Sequence, residues 1–321
     1  MPASRIASFL RVDLGRPNTV LARLLRAIGT LLVILATIGV GAPVADGAGQ
    51  IFGQRDLSVG WPISGKVTSS IVTYQTTGNN PVTVQGRLNM PKTASPTNKV
   101  PAVVYLHGTD GVDGRGAFNA WALNEAGIAT LEIDMWAARG LPPSTANRSR
   151  LQPTLPFAYG ALYFLASQPM IDTGRIGVEG ESMGGGITLR AASEPYLRRF
   201  TNGALHFAAH LSFYPNCTEL VMNEHLPPMT GVPMHILLGD NDADTSVEDC
   251  QALAKQIGAG ITVYPGATHQ WDEQQGRSFE FFDPLANRGS GGRVQVTPSP
   301  QLAEASRAFG VSFFRQAFRI P

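Results

Sequence analysis

Apolar positions along this chain change their rhythm near residue 100. Before it, Val67 to Tyr74 and Val82 to Asn89 are rich in strand-forming residues and are separated by Thr77-Gly78-Asn79-Asn80-Pro81, a run of turn formers. That pattern predicts an antiparallel hairpin or meander at the entry to the fold. After it come a short apolar run, Ala102 to Leu106, and a second strand-like segment, Ile128 to Ile133. Both read as buried strands. Further strands are expected at Arg175 to Val178, Leu205 to Phe213, Met234 to Leu238 and Ile261 to Tyr264. Helical patterns fall among and after them at Ala117 to Ala126, Pro156 to Gln168, Ile187 to Ala192, Val247 to Ile257 and Pro300 to Phe318. Alternating strands and helices predict an α/β fold, a mostly parallel central sheet of about eight strands covered by helices on both faces. In such sheets the chemistry gathers at the carboxyl ends of the strands.

The N-terminus has a different pattern. Arg5, Arg11, Arg16, Arg23 and Arg26 precede an uncharged apolar run from Ala27 to Ala45, and small residues follow at Ala45-Asp46-Gly47-Ala48. A positive flank before an apolar segment is the mark of a signal peptide or of a membrane anchor. Residues 1–48 are therefore expected to be a targeting segment and residues 49–321 a single catalytic-size domain. Both outcomes place that domain outside the cytosol, as an exported protein; the second attaches it to a membrane through residues 27–45.

Composition narrows the function classes. The net charge is +1, with no basic stripe, which argues against nucleic acid as a partner. Two cysteines, Cys217 and Cys250, allow either one disulfide or two buried thiols. His206, His210, His225 and His235 lack the spacing of a zinc site, and the acidic run Asp240 to Asp244 lacks the glycine and terminal glutamate of a calcium loop. No metal and no organic cofactor are expected.

Chemistry is carried by four short segments. Gly180-Glu181-Ser182-Met183-Gly184 sits between an expected strand and an expected helix. That is the setting of a nucleophile elbow, whose turn is too tight for bulk two residues either side of the serine. Ser182 is the expected nucleophile, and the Met183 N–H, at the helix start, an oxyanion donor. His269, in the loop after Val263-Tyr264, is the expected general base. Leu238-Gly239-Asp240-Asn241-Asp242-Ala243-Asp244 lies between them and offers three aspartates to orient that histidine. Serine, acid, histidine is the chain order of α/β-hydrolases. Finally, Leu106-His107-Gly108-Thr109 ends an early strand and is expected to supply the second oxyanion donor, the Thr109 N–H, with Gly108 letting the backbone approach the substrate and His107 in a structural role.

These residues resemble the dienelactone hydrolase family of α/β-hydrolases. The resemblance rests on Leu106-His107-Gly108, Asp134-Met135-Trp136-Ala137-Ala138-Arg139-Gly140, the elbow, Gly239-Asp240-Asn241-Asp242 and Tyr264-Pro265-Gly266-Ala267-Thr268-His269. It implies that Asp242 is the acid of the triad. It also offers Arg139 to a substrate carboxylate, or else as a salt-bridge partner of Glu181 or Glu179. The namesake enzymes use cysteine where this chain has Ser182, so the expected activity is hydrolysis of small carboxylic esters or lactones through an acyl-enzyme. A peptidase or a lipase on the same fold, or a binding protein that kept it, are the alternatives. Cys217 follows a strand and Cys250 follows the acid loop, so a disulfide at the rim of the site is expected in an exported chain. The Pro-containing stretch Gly140 to Leu155 is a candidate lid.

Overall fold

Residues 62–141, 154–218, 228–283, 286 and 291–321 are described by the computed structural model of the protein. They fall within the unit Ile51–Pro321. The expected targeting segment and most of the candidate lid lie outside the described residues. No helix among the described residues is long and apolar enough to cross a membrane.

The entry hairpin forms as its pattern predicts. Strands β1 (Val67–Gln75) and β2 (Thr83–Pro91) pair antiparallel, with Thr76 and Val82 joined by a main-chain hydrogen bond of 3.0 Å across the turn. The alternating section builds β3 (Val100–Leu106), helix α1 (Arg115–Glu125), β4 (Ala129–Asp134), α2 (Leu155–Ala166), β5 (Ile171–Glu181), α3 (Met183–Arg190), α4 (Glu194–Thr201), β6 (Ala209–Phe213), β7 (Met234–Gly239), α5 (Val247–Ile257), β8 (Gly260–Tyr264) and α6 (Pro300–Ala317). A small hairpin, β9 (Phe279–Phe282) with β10 (Arg293–Val296), lies between β8 and α6. The eight-stranded sheet has the order β1-β2-β4-β3-β5-β6-β7-β8, and β2 alone pairs antiparallel with both its neighbours.

Two apolar layers cover this sheet because successive strand residues face opposite ways. Along β3, Ala102, Val104 and Leu106 join one cluster with Phe157, Ala161 and Leu165 of α2. Val103 joins the other, with Leu123 of α1, Leu253 of α5 and Phe314 of α6. β3 is apolar throughout, as a strand covered on both faces requires, whereas β4 alternates and turns its buried Thr130 and Glu132 to one face, where Glu132 pairs with Arg87 at 2.8 Å. Helix α5 begins where Ser246 accepts the Asp249 N–H at 3.1 Å and ends at Gly258 in the left-handed region.

Three elements differ from the sequence pattern. The strand expected from Leu205 begins only at Ala209, and Phe207 ahead of it packs against Tyr159. Helix α3 begins at Met183 and runs through three glycines, although glycine is a poor helix former, because the elbow forces the turn at that point. Helix α4 and the β9–β10 hairpin are too short to leave a readable period.

Candidate active site

Strand β5 ends at Glu181, and Ser182 stands alone between it and α3 with φ 49° and ψ −113°. Such a backbone is strained for a residue with a Cβ and persists only when its surroundings demand it. Here the surroundings are the two elbow glycines. A Cβ on Gly184 would lie 2.0 Å from the Leu106 carbonyl oxygen, and one on Gly180 would lie 2.5 Å from the backbone of Gly184. Strand, turn and helix therefore close to backbone contact, and the serine side chain is turned outward over the sheet edge.

His269 comes to that serine from the loop after β8. Its Nε2 accepts from Ser182 Oγ at 3.1 Å, and its Nδ1 meets Asp242 Oδ2 at 2.8 Å. A carboxylate only accepts, so Nδ1 carries the proton and Nε2 is left basic toward the serine. Asp242 is itself held by the N–H groups of Asp244 at 2.8 Å and Thr245 at 3.3 Å. The three competing aspartates thus separate. Asp240 accepts the Gly266 N–H and ties the acid loop to the histidine loop, Asp242 orients the imidazole, and Asp244 lies 3.7 Å from Nε2 on the serine's side. Burial works against a charged His269, but Asp242 and then Asp244 outweigh it and hold the imidazole above its ordinary value.

The oxyanion loop is held from below. His107 is buried; its Nε2 accepts from the Met135 N–H at 2.9 Å, so the proton is on Nδ1, which donates to the Gly108 carbonyl at 2.7 Å. A trans peptide points its C=O and the next N–H in opposite directions. Pinning the Gly108 carbonyl therefore aims the Thr109 N–H the other way. Trp136 Nε1–H donates to the Thr109 carbonyl at 2.7 Å and fixes the following peptide. Among the described residues neither the Thr109 N–H nor the Met183 N–H is used by a protein acceptor, as two oxyanion donors require. The N–H of Gly108 donates to Glu181 Oε1 at 3.2 Å and its carbonyl is taken by His107, so both its polar groups hold the loop in place.

The arginine paired with Glu181 is not Arg139. The partner of Glu181 is Arg115, at 3.1 Å, and the Arg139 guanidinium lies over the rings of Trp136 and Phe157 at 5.6 and 4.6 Å. Arg115 is buried, ion-paired to Asp113, and donates to Tyr214 Oη at 3.1 Å. Tyr214 in turn donates to Asp272 at 2.6 Å, and Tyr105 donates to Glu181 at 2.8 Å. Burial pushes the Glu181 carboxyl well up, against the pull of Arg115. Sequence reasoning missed Arg115, Tyr214 and Asp272. Tyr214 had one signal, its place just after a strand's carboxyl end. It has φ 34°, Gln270 beside the histidine has φ 55°, and with Ser182 they put three strained residues around one site.

Cys217 and Cys250 form a disulfide with Cα atoms 5.1 Å apart, joining the segment after β6 to α5 directly behind the acid loop. Phe281 of β9 stands with its ring 6.0 Å from that of His269. His210 is buried, donates its Nδ1 proton to the Thr188 carbonyl at 2.8 Å, and is pushed down to about 4 by that burial, far from any catalytic use.

This geometry sits in a chain with many structural likenesses. A dienelactone hydrolase-like promiscuous phosphotriesterase from metagenomic libraries matches at 19% identity and TM-score 0.57, over 79% of this chain and 99% of its own. Esterase 2 of Thermogutta terrifontis, solved phosphorylated by paraoxon, matches at 15% identity and TM-score 0.55, over 79% and 95%. An α/β hydrolase from a Medee basin deep-sea metagenome library matches at 15% and 0.53, over 78% and 99%. At these identities the likeness shows the fold, that of an α/β-hydrolase. No curated protein is significantly similar in sequence. The dienelactone hydrolase family model matches residues 84–287, most of the described domain, including the elbow, the acid loop and the histidine loop. The chain belongs to the dienelactone hydrolase family.

Proposed function

We propose that this hydrolase cleaves carboxylic esters or lactones with Ser182 as nucleophile, His269 as general base and Asp242 as the acid that orients it. The observation that carries the reading is the unbroken hydrogen-bonded line from Asp242 through His269 to Ser182, at 2.8 and 3.1 Å. His269 Nε2 takes the Ser182 proton as Oγ attacks the carbonyl carbon, and the Met183 and Thr109 N–H groups receive the charge that develops on the carbonyl oxygen. The imidazolium, stabilised by Asp242, then gives its proton to the departing alkoxide, leaving an acyl-serine. Water, deprotonated by the same nitrogen, releases the acid and restores the serine. An open-chain ester frees its alcohol at the first stage; a lactone keeps it tethered until the second.

The disulfide supports an oxidising destination, and with the N-terminal pattern it makes an exported enzyme, cleaved or anchored through residues 27–45, our reading of its location. The test of the chemistry is direct. Purified protein is expected to be labelled by a fluorophosphonate at Ser182 and to hydrolyse p-nitrophenyl acetate. Ser182→Ala should remove the label and reduce kcat by about ten-thousand-fold or more. Equal rates in the two proteins would sink the proposal.

A further inference from the structure

Strands β3 and β8 stand apart in the sheet, with β5, β6 and β7 between them. The oxyanion loop follows the first and the histidine loop follows the second, so two groups that must act on one carbonyl are carried by distant parts of the fold. Among the described residues one hydrogen bond joins these two loops directly: Gln270 Nε2 donates to Asp110 Oδ2 at 2.9 Å, across 160 positions of sequence. Gln270 is the residue after His269, and Asp110 is the residue after Thr109. Asp110 also has the Arg115 guanidinium 3.8 Å away, and Arg115 connects onward to the histidine loop through Tyr214 and Asp272.

Gln270 holds its place against two penalties. Its backbone lies at φ 55°, in the left-handed region, where a residue with a side chain is strained. Its side chain is buried, and a carboxylate only accepts, so the amide nitrogen faces Asp110 and Oε1 is left with no donor among the described residues. A glycine would avoid both penalties. What the glutamine supplies in return is the bond to Asp110.

Resting on the esterase reading above, we propose that Gln270 is a positioning residue: through Asp110 its amide clamps the loop of the general base to the loop of the oxyanion donor. The clamp fixes the His269 imidazole relative to the Thr109 N–H while charge moves from the serine to the carbonyl oxygen. The same nitrogen and the same donors serve acylation and deacylation, so the clamp acts in both stages. A misplacement of about an ångström at either group lowers the rate by up to about a hundredfold. Substrate affinity, which does not require contact with Gln270, changes little.

Single and paired variants assayed on p-nitrophenyl acetate, with melting temperature read alongside, test this. Gln270→Gly keeps the left-handed turn without strain and removes the amide. Its kcat should fall about tenfold or more with KM within about threefold of wild type, while Tm stays at or above the wild-type value. Gln270→Asn tolerates the same backbone but is a methylene too short to reach Asp110, so it should lose kcat similarly. Asp110→Ala should reproduce the loss and add nothing to it when combined with Gln270→Gly. Asp110→Asn, whose side-chain oxygen still accepts, should recover kcat to within about threefold of wild type. An unchanged kcat in Gln270→Gly, a kcat that falls only in step with Tm, or losses that multiply in the double variant would overturn the assignment. NMR of the His269 imidazole in a Ser182→Ala background keeps this apart from the fate of the esterase reading. Adding Gln270→Gly should broaden or split the ring signals as the loop is released. A single unmoved set of signals overturns the clamp even where no ester is hydrolysed. Wild-type protein inert toward the ester sinks the esterase reading, and the spectrum alone then decides the clamp.

Discussion

At the scale of single residues, three aspartates within one short loop do three different jobs. Asp240 joins two loops, Asp242 is hydrogen-bonded to the His269 Nδ1, and Asp244 lies 3.7 Å from its Nε2. The distinction has a measurable consequence for pH. Because Asp242 and Asp244 together outweigh burial, His269 stays protonated to a higher pH than an ordinary imidazole. A protonated base cannot accept from serine, so kcat/KM should fall as pH drops through that raised value and level off above it. Asp242→Asn removes the larger charge and the acceptor on Nδ1. It should lower the rate by about ten-thousand-fold at neutral pH and move what remains of the acid limb to lower pH. A pH–rate profile of the variant with an unmoved limb would assign that limb to another group.

At the scale of elements, the site depends on three chain segments being pressed together with no side chain between them. The elbow, the end of β3 and the start of α3 meet at Gly184, where an added methyl would meet the Leu106 carbonyl at 2.0 Å and the His107 carbonyl at 2.8 Å. Neither obstacle is a flexible side chain; both are backbone of the central sheet and the oxyanion loop. Gly184→Ala should therefore fail to give folded protein, or lower stability by several kcal/mol while disordering the oxyanion loop. Circular dichroism and urea unfolding decide it; a variant of wild-type stability would mean that the elbow is looser than the contacts allow. The oxyanion loop shows the same logic at its other end, where His107, Trp136 and Glu181 each hold one backbone group of Gly108 or Thr109.

At the scale of the whole molecule, the sheet carries its catalytic groups on loops from three different strands, β5, β7 and β8, and something must hold those loops in register. The disulfide does part of this. It joins Cys217 to Cys250, 33 residues apart, and the same region is tied by Thr245 Oγ1 donating to the Pro215 carbonyl at 2.8 Å. Closing a loop of that size contributes about 3–4 kcal/mol by restricting the unfolded chain. Replacing both cysteines by serine should lower Tm by roughly 10 °C while leaving the triad's chemistry in place. Unchanged melting by calorimetry would show that the bond is absent in solution. The buried cluster of Arg115, Glu181, Tyr105, Tyr214 and Asp272 does the rest, spanning α1, β3, β5 and the β6 and β8 loops under the site.

Much of this was legible along the chain, and for a local reason. Dry strands, helices and tight turns are dictated by nearest-neighbour patterns, so the alternating sheet, the elbow at Ser182 and the loop holding His269 could be read without coordinates. Which aspartate meets the imidazole was readable only through family resemblance, because three candidates in one loop share the same local context. What only the folded structure decided were contacts between distant segments: Arg115 and not Arg139 beside Glu181, Gly108 bound up in its own loop, and Phe281 of a short hairpin over the histidine. Those pairings join residues from 12 to 73 positions apart, and their choice is made by side-chain reach and charge balance inside a desolvated space, quantities that have no periodicity along a chain.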